Sequence, residues 1–444
     1  MAHEYLRMTP TSKENQKKAS VYTLGCRLNQ SESSVMEQGL KEQGFELVDF
    51  KGESNLAIVN TCTVTARADS DCRNVIRSYI RRNPDAFVAV VGCYSQMGYK
   101  TLAEIEGVDL IIGNQDKMSV LDYVKMGKNE KPLIIRDRIV KEDFTIDTMG
   151  QSDSKTRANL KIQDGCDFMC TFCIIPMARG RSRSRDMDNL LEEARTLIGQ
   201  GFREIVITGV NVATYDSQGR TFLDVIDRLN ELEGIERIRI SSIEPTTIPE
   251  KIFDYMADPE HALVPYLHIP LQSGSDKVLK IMKRRYERQE FLDFITMASE
   301  RVPDLCIGTD VMVGMCGEDE QEFESTCDFL IKSPVNYFHV FTFSEREGTP
   351  AVKMDEKVSP KEKSHRSSVL RAISERKRLK FYNEYIGREF DVLFESGHDG
   401  LWTGYTENFI RVSVEYPGNL SRHIRRVKIT HIVADFAMAE LVDE

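Results

Sequence analysis

No segment of this 444-residue chain comes near the ~18 consecutive apolar residues of a membrane-spanning helix, so no membrane anchor is expected. Residues 1–18 lack the apolar core of a secretory signal. They are polar, with Lys13, Lys17 and Lys18, and read as a disordered tail. The chain also lacks the cysteine density of a disulfide scaffold. Its 10 cysteines suit metal or redox work in a reducing compartment, which points to the cytoplasm. Net positive charge is missing as well, and the formal charge of −11 excludes a protein wholly wrapped in nucleic acid. What remains, 41% hydrophobic and 29% charged, is a globular composition. A chain this long is expected to form roughly two to four domains.

Six of the cysteines carry the chemistry. Cys166, Cys170 and Cys173 form a tight C-x3-C-x2-C set, while Cys26, Cys62 and Cys93 each end a short apolar segment. Thiolates are the usual ligands of iron–sulfur clusters, and a four-iron cube held by three of them keeps one iron open. Each set can therefore hold a cluster that binds something else. Cys72, Cys306 and Cys327 fall inside helix or strand patterns and read as core or helix-surface residues.

The positive charge is local. Arg179, Arg181, Arg183 and Arg185 alternate after the tight set, and Arg73, Arg77, Arg81 and Arg82 recur near Cys62. The run 361–380 is dense in lysine and arginine, and Arg422, Arg425, Arg426 and Lys428 form a further group. A single run of this kind is usually a solvated helix face. Their recurrence on an acidic chain points to phosphate contacts, as in RNA binding.

Strand and helix signals alternate over the first ~120 residues, and the continuous β-branched runs indicate a parallel sheet covered on both faces. Ligands gather beyond the carboxyl ends of such strands, which is where Cys26, Cys62 and Cys93 fall. Six further strand–helix units, with strands near 159–162, 204–208, 237–241, 266–269, 305–313 and 337–343, fit an incomplete α/β barrel. The last ~58 residues read as a small antiparallel β-barrel, with Arg411 and the rings of Tyr405, Phe409 and Tyr416 as further RNA contacts. The expected fold class is α/β. Its divisions are a tail (1–18), an amino-terminal cluster domain (19–127), a linker (128–156), a partial (β/α)6 barrel (157–386) and the small barrel (387–444).

The open iron of a three-cysteine cluster can chelate an amino nitrogen and a carboxylate, the pair that S-adenosylmethionine offers. Candidates to hold that molecule lie at the barrel mouth: Phe172 beside the third cysteine, Gly209 and Asn211, Ser242 and Glu244, Gln272 and Ser273, and Asp310.

The tight set, with an aromatic before its last cysteine, resembles the radical S-adenosylmethionine enzymes. The contexts of Cys26 (Thr23-Leu24-Gly25-Cys26-Arg27-Leu28-Asn29-Gln30), Cys62 (Asn60-Thr61-Cys62-Thr63) and Cys93 (Val91-Gly92-Cys93-Tyr94-Ser95-Gln96) resemble the methylthiotransferases within that group. The runs 60–65, 160–166 and 241–245 are most similar to the branch acting on N6-threonylcarbamoyladenosine in tRNA. One departure stands out: Gly314-Met315-Cys316-Gly317-Glu318 replaces the Gly-Phe-Pro-Gly-Glu usual in the family.

The resemblance implies two 4Fe–4S clusters, two molecules of S-adenosylmethionine per turnover and a carboxy-terminal TRAM barrel. The Cys166/Cys170/Cys173 cluster would generate the radical that activates C2 of the adenine. The Cys26/Cys62/Cys93 cluster would carry the sulfur that becomes methylthio. The implied partners are a tRNA anticodon stem-loop and an electron donor such as flavodoxin or ferredoxin; a monomer is the default expectation, and the sequence does not give the oligomeric state. Rival readings are a methylthiotransferase for isopentenyladenosine or for a ribosomal-protein aspartate, and a non-enzymatic Fe–S or zinc protein that binds RNA as a redox sensor. Zinc sites usually complete four ligands from paired motifs, and neither triad has an adjacent fourth.

Overall fold

The computed structural model describes residues 17–124, 128–147, 150–151 and 155–442. The expected tail lies outside them except for Lys17 and Lys18, and Lys18 opens the first strand. That strand, Lys18–Thr23, belongs to a six-stranded sheet. Across it the strands run Glu46–Leu47, Lys18–Thr23, Leu56–Thr61, Phe87–Gly92, Leu110–Ile112 and Leu133–Ile135, all parallel. Leu56–Thr61 and Phe87–Gly92 are buried at every position, as strands covered on both faces must be. The sixth strand corrects the linker reading of 128–156. Its apolar residues add an edge to the sheet, and Phe144 bridges to Arg185 further on.

The barrel consists of two three-stranded parallel sheets, Ala158–Lys161, Glu204–Thr208 and Arg237–Ile240, then Tyr266–His268, Cys306–Val313 and Tyr337–Thr342. A bridge between Ile238 and Leu263 connects the halves. The ring does not close, because Ala158–Lys161 and Tyr337–Thr342 have no mutual pairing among the described residues. Helix Arg27–Glu42 lies along the first of these edges, where the Ser31 hydroxyl donates to the Asn159 carbonyl at 2.9 Å. Helix Pro360–Asn383 lies along the other. The amino-terminal domain is thereby fixed to the barrel. Arg346 strengthens the joint, donating to Asp69 at 2.5 Å and to the Thr63 hydroxyl at 2.7 Å.

Five strands close the carboxy-terminal barrel: Glu389–His398, Leu401–Thr406, Arg411–Glu415, Ile424–Val433 and Phe436–Leu441. One pair, Arg411–Glu415 with Phe436–Leu441, is parallel. The wholly antiparallel expectation fails for a geometric reason: directions cannot alternate all the way round a ring with an odd number of strands.

This barrel seals the floor of the larger one. Arg237 donates to the carbonyls of Asp391 (2.7 Å) and Tyr405 (3.2 Å), and Arg239 donates to that of Glu407 (2.9 Å). The Phe409 ring sits 4.5 Å from Tyr266 and 4.7 Å from Tyr405. Tyr405 and Phe409 are thus engaged in this joint and with Arg157, which corrects their reading as platforms for RNA bases. Tyr416 is half-buried. No helix among the described residues is long and apolar enough to cross a membrane.

Candidate active site at the barrel mouth

The tight cysteine set occupies the loop beyond strand Ala158–Lys161. Gly165 starts the loop at φ +72°, and a Cβ there would collide with the Arg181 carbonyl oxygen, so only glycine fits. The loop is held by Thr171, whose amide donates to the Met282 carbonyl (3.1 Å) and whose hydroxyl donates to that of Ile281 (2.9 Å). Burial pushes the Cys166 thiol up to about 11 and Cys173 to about 12, and raises Cys170. The polar neighbours oppose this shift: the Phe168 amide donates to the Cys166 sulfur and Arg284 to the Cys170 sulfur, each at 3.4 Å. Cations that replace the three protons would remove the penalty of burying thiolates.

Among the described residues no three Cys, His, Asp or Glu side chains converge on a single metal ion. Arg284, which no sequence motif singles out, is clamped by Glu244. The Glu244 carboxylate is therefore engaged in aiming Arg284 at Cys170.

Cys26, Cys62 and Cys93 follow three adjacent parallel strands, whose carboxyl ends bring them to one edge of the sheet. Close approach is built in: a Cβ on Gly25 would lie 2.8 Å from the Cys62 Cβ. A Cβ on Gly92, at φ +99°, would lie 2.5 Å from the Asn60 side-chain oxygen. The Asn29 amide ties the loops by donating to the carbonyls of Leu24 (2.7 Å) and Thr61 (3.0 Å). Asn114 donates to the Cys93 sulfur at 3.5 Å and to the Ala178 carbonyl, beyond the tight set, at 2.6 Å. Burial pushes Cys62 up to about 11, and the neighbouring Cys93 and Cys26 add to the shift.

Arg179 corrects the phosphate reading of the arginine run. It is 1% exposed and donates to Glu32 and Asp164, each at 3.0 Å, and to Asn29 at 2.5 Å. Lys161 lies between the same two acids (2.8 and 2.7 Å), and Lys117 pairs with Glu32 at 2.5 Å. These cations hold both carboxylates well below their ordinary range although burial opposes it. Arg183 is also buried, 3.7 Å from Asp164, and Arg185 is clamped by Glu193. Arg181 remains exposed.

The other basic groups differ in their freedom. Arg366, within the run 361–380, is buried against Glu318 at 2.8 Å. That pair holds the turn at Gly314-Met315-Cys316-Gly317-Glu318 without the family's proline, and the Glu318 carboxylate accepts the Gly314 amide at 2.8 Å. Cys316 is buried in this turn, at 3.8 Å from the Ala351 carbonyl. On the small barrel, Arg411 faces Asp435 at 3.4 Å and Arg422 lies over the Phe202 ring. Arg426 faces Asp391 at 3.5 Å, Arg425 is half-buried and Lys428 is exposed.

A cavity of about 440 Å³, open to solvent on one side, lies where the three units meet. The barrel contributes Gly209, Ser242, Asp310 and His268, the amino-terminal domain Cys26 and Arg27, the short helix after the tight set Ile175 and Arg179, and the small barrel Phe409. Asp310 and the His268 ring share a hydrogen bond of 2.9 Å, and burial and the His268 ring lower His339. Other predicted residues lie off this wall. Asn211 is buried and accepts the Thr247 hydroxyl at 3.2 Å. Ser273 is buried against Thr326 at 3.3 Å. Phe172 packs with Val278, Met282 and Phe343, and Gln272, at φ +72°, bridges to Val311. A larger groove, about 970 Å³, lies among outer helices and is lined by none of the cysteines.

The Radical SAM superfamily profile matches residues 160–330, and that of the uncharacterized protein family UPF0004 matches 18–113. The chain is 36% identical over 422 residues to the threonylcarbamoyladenosine tRNA methylthiotransferase MtaB of Bacillus subtilis (strain 168), covering 92% of each. It is 34% identical to the MtaB of Aquifex aeolicus (strain VF5), covering 90% of this chain and 97% of the relative. It is 31% identical to the tRNA-2-methylthio-N(6)-dimethylallyladenosine synthase of Acetivibrio thermocellus, covering 92% and 88%. Among solved structures, the radical S-adenosylmethionine methyltransferase TsrM from Kitasatospora setae shares the fold, with a TM-score of 0.54 over 76% of this chain and 77% of that one at 14% identity. The fold and the C-x3-C-x2-C loop at the barrel mouth define a radical S-adenosylmethionine protein. The chain belongs to the radical S-adenosylmethionine methylthiotransferase family.

Proposed function

We propose that this protein is a tRNA-modifying enzyme that places a methylthio group on C2 of N6-threonylcarbamoyladenosine next to the anticodon. The observation that carries the reading is the shared cavity: Cys26 of one cysteine set and Ile175 and Arg179, of the short helix following the other, line the same space. The relatives named for the threonylcarbamoyl substrate reach 36% identity, against 31% for the Acetivibrio thermocellus relative named for the dimethylallyl substrate. The cofactors are S-adenosylmethionine and 4Fe–4S clusters, one on Cys166, Cys170 and Cys173 and a second on Cys26, Cys62 and Cys93. When bound, they supply the radical that activates an aromatic C–H and the methylthio group that replaces its hydrogen.

The protein's own residues set the geometry. Arg284 places a positive charge on the Cys170 sulfur, and Glu244 holds Arg284 there. Arg179, Glu32 and Asp164 fix the two cysteine-bearing units in register. The small barrel excludes water from below through Phe409. The target base leaves the anticodon loop to enter the cavity, since single-stranded loops are where bases can be splayed out. Arg181, Arg426 and Lys428 are the groups placed to meet phosphates. An electron donor of the flavodoxin or ferredoxin type, a cytoplasmic location and a monomeric enzyme complete the reading.

The test offers threonylcarbamoyl- and isopentenyl-modified tRNA to the reduced enzyme side by side, with nucleoside mass spectrometry as readout. Methylthiolation of the threonylcarbamoyl form is expected. Product from the isopentenyl form alone would contradict the substrate assignment.

A further inference from the structure

The charged side chains around the cavity are matched, with one exception. Arg179 is held by Glu32 and Asp164 at 3.0 Å, Arg239 by Glu204 at 2.6 Å, and Asp310 by His268 at 2.9 Å. Arg157, beneath, takes Glu395 at 2.7 Å. Arg27 also lines the cavity, and among the described residues its guanidinium has neither a hydrogen bond nor an ion pair. Glu204 acts on it through space, but that carboxylate is already taken by Arg239. Arg157 and Arg239 add positive potential of their own.

Arg27 is half-buried at this wall, and a cation without a partner at the rim of a cavity is free to take an anionic group that enters it. Its position says what ligand that is. Arg27 directly follows Cys26 and begins helix Arg27–Glu42, so its backbone is fixed. It shares the wall with Ser241, whose hydroxyl is buried without a partner. The rings of Tyr337 and His339 lie on the same wall. The space thus offers a guanidinium fork, an unused hydroxyl and flat surfaces. That set suits a planar carboxylate attached to a hydrogen-bonding group.

We propose that Arg27 is the specificity-determining residue that binds the free carboxylate of the threonylcarbamoyl group, an inference that rests on the function proposed above. Threonylcarbamoyladenosine carries that carboxylate. An isopentenyl (dimethylallyl) group carries no charge and would give Arg27 no partner, so the residue favours the first substrate over the second. The methionyl carboxylate of S-adenosylmethionine would be the competing anion at Arg27, and the experiment separates the two.

Anticodon stem-loops would carry threonylcarbamoyladenosine or the same nucleoside with its carboxylate converted to a primary amide. The kcat/KM for methylthiolation is measured with the wild type, R27Q and R27K, alongside iron content. The wild type should prefer the acid by roughly 10- to 100-fold, the worth of a hydrogen-bonded charge. R27Q should abolish the preference, and R27K, which keeps the charge, should retain most of it. A wild type indifferent to the change, or an iron-loaded R27Q that keeps the preference, overturns the assignment. So does an effect confined to KM for S-adenosylmethionine, which would give Arg27 to the methionyl carboxylate. If R27Q loses iron, the wild type and R27K decide. Product from an isopentenyl stem-loop alone would fell the proposed function itself, whereas threonylcarbamoyl product with no role for Arg27 would fell only this inference.

Discussion

Arg179, six residues past Cys173, donates to Glu32 at 3.0 Å, joining two groups 147 positions apart that are each about 1% exposed. The bond joins the short helix Ile175–Arg179 that follows one cysteine set to the helix Arg27–Glu42 that follows Cys26. A cluster domain and a barrel must hold a fixed separation if a group on one is to reach a base activated by the other. This buried pair, with Asp164, Lys161 and Lys117 around it, supplies that rigidity.

E32Q should therefore destabilise the protein by roughly 3–5 kcal/mol, because Lys117, Lys161 and Arg179 lose their shared counter-charge. Replacing Glu231, whose pairing with Arg228 at 3.0 Å is solvent-exposed, should cost less than about 1 kcal/mol. Denaturant midpoints of the two variants check the contrast.

The same pair sets a pH dependence. Glu32 lies below its ordinary value of 4.5 in the folded state, so its stabilisation is fully present above that value and is lost as pH falls towards the lower folded one. The difference in melting temperature between wild type and E32Q should be constant between about pH 6 and about pH 7. It should shrink progressively below about 4.5. A gap that widened on acidification would show that Glu32 is not held ionised.

Substituting Gly25 by alanine tests the upstream cysteine set. The added methyl would lie 2.8 Å from the Cys62 Cβ, at a backbone φ of +105° that disfavours side chains. G25A should lose about half the iron of a two-cluster protein, while reductive cleavage of S-adenosylmethionine at the other cluster persists. Iron assay and 5′-deoxyadenosine release are the readouts.

Removing Arg284 should act on the other set. R284M withdraws the hydrogen bond to the Cys170 sulfur and leaves Glu244 unpaired. The reduction potential of that cluster should fall and 5′-deoxyadenosine formation should drop by roughly 10- to 100-fold, as for other residues that support metal ligands. A redox titration followed by electron paramagnetic resonance reads the potential directly.

For RNA, charge reversal at Arg426 and Lys428 should weaken tRNA binding and lower the salt-dependence slope by about one for each phosphate no longer neutralised. Binding isotherms over a range of salt concentrations measure that slope. Reversing Arg183 should instead unfold the site, since that side chain is buried near Asp164.

The apolar strand runs and the cysteines that end them are legible in the sequence because burial on two faces leaves an unbroken β-branched signature. The arginine run 179–185 is misleading. Alternating arginines look solvated, but Arg179, Arg183 and Arg185 are turned inward by carboxylates at Glu32, Asp164 and Glu193, and the partner of Arg179 lies in a distant segment. No local pattern announces such a partner. The three-residue strand Leu133–Ile135 is too short to separate from a linker, and the parallel pair in the small barrel follows from strand number alone. Arg27 stands in plain view beside Cys26. Its place on the cavity wall, away from any counter-charge of its own, emerges only once the three units are folded together.

The most direct test of the central claim, that two clusters serve one cavity, is iron quantification in anaerobically reconstituted wild type and two triple alanine variants. Wild type should bind about eight irons per chain, and loss of Cys166, Cys170 and Cys173, or of Cys26, Cys62 and Cys93, should each leave about four. Unchanged iron in either folded variant would contradict the account.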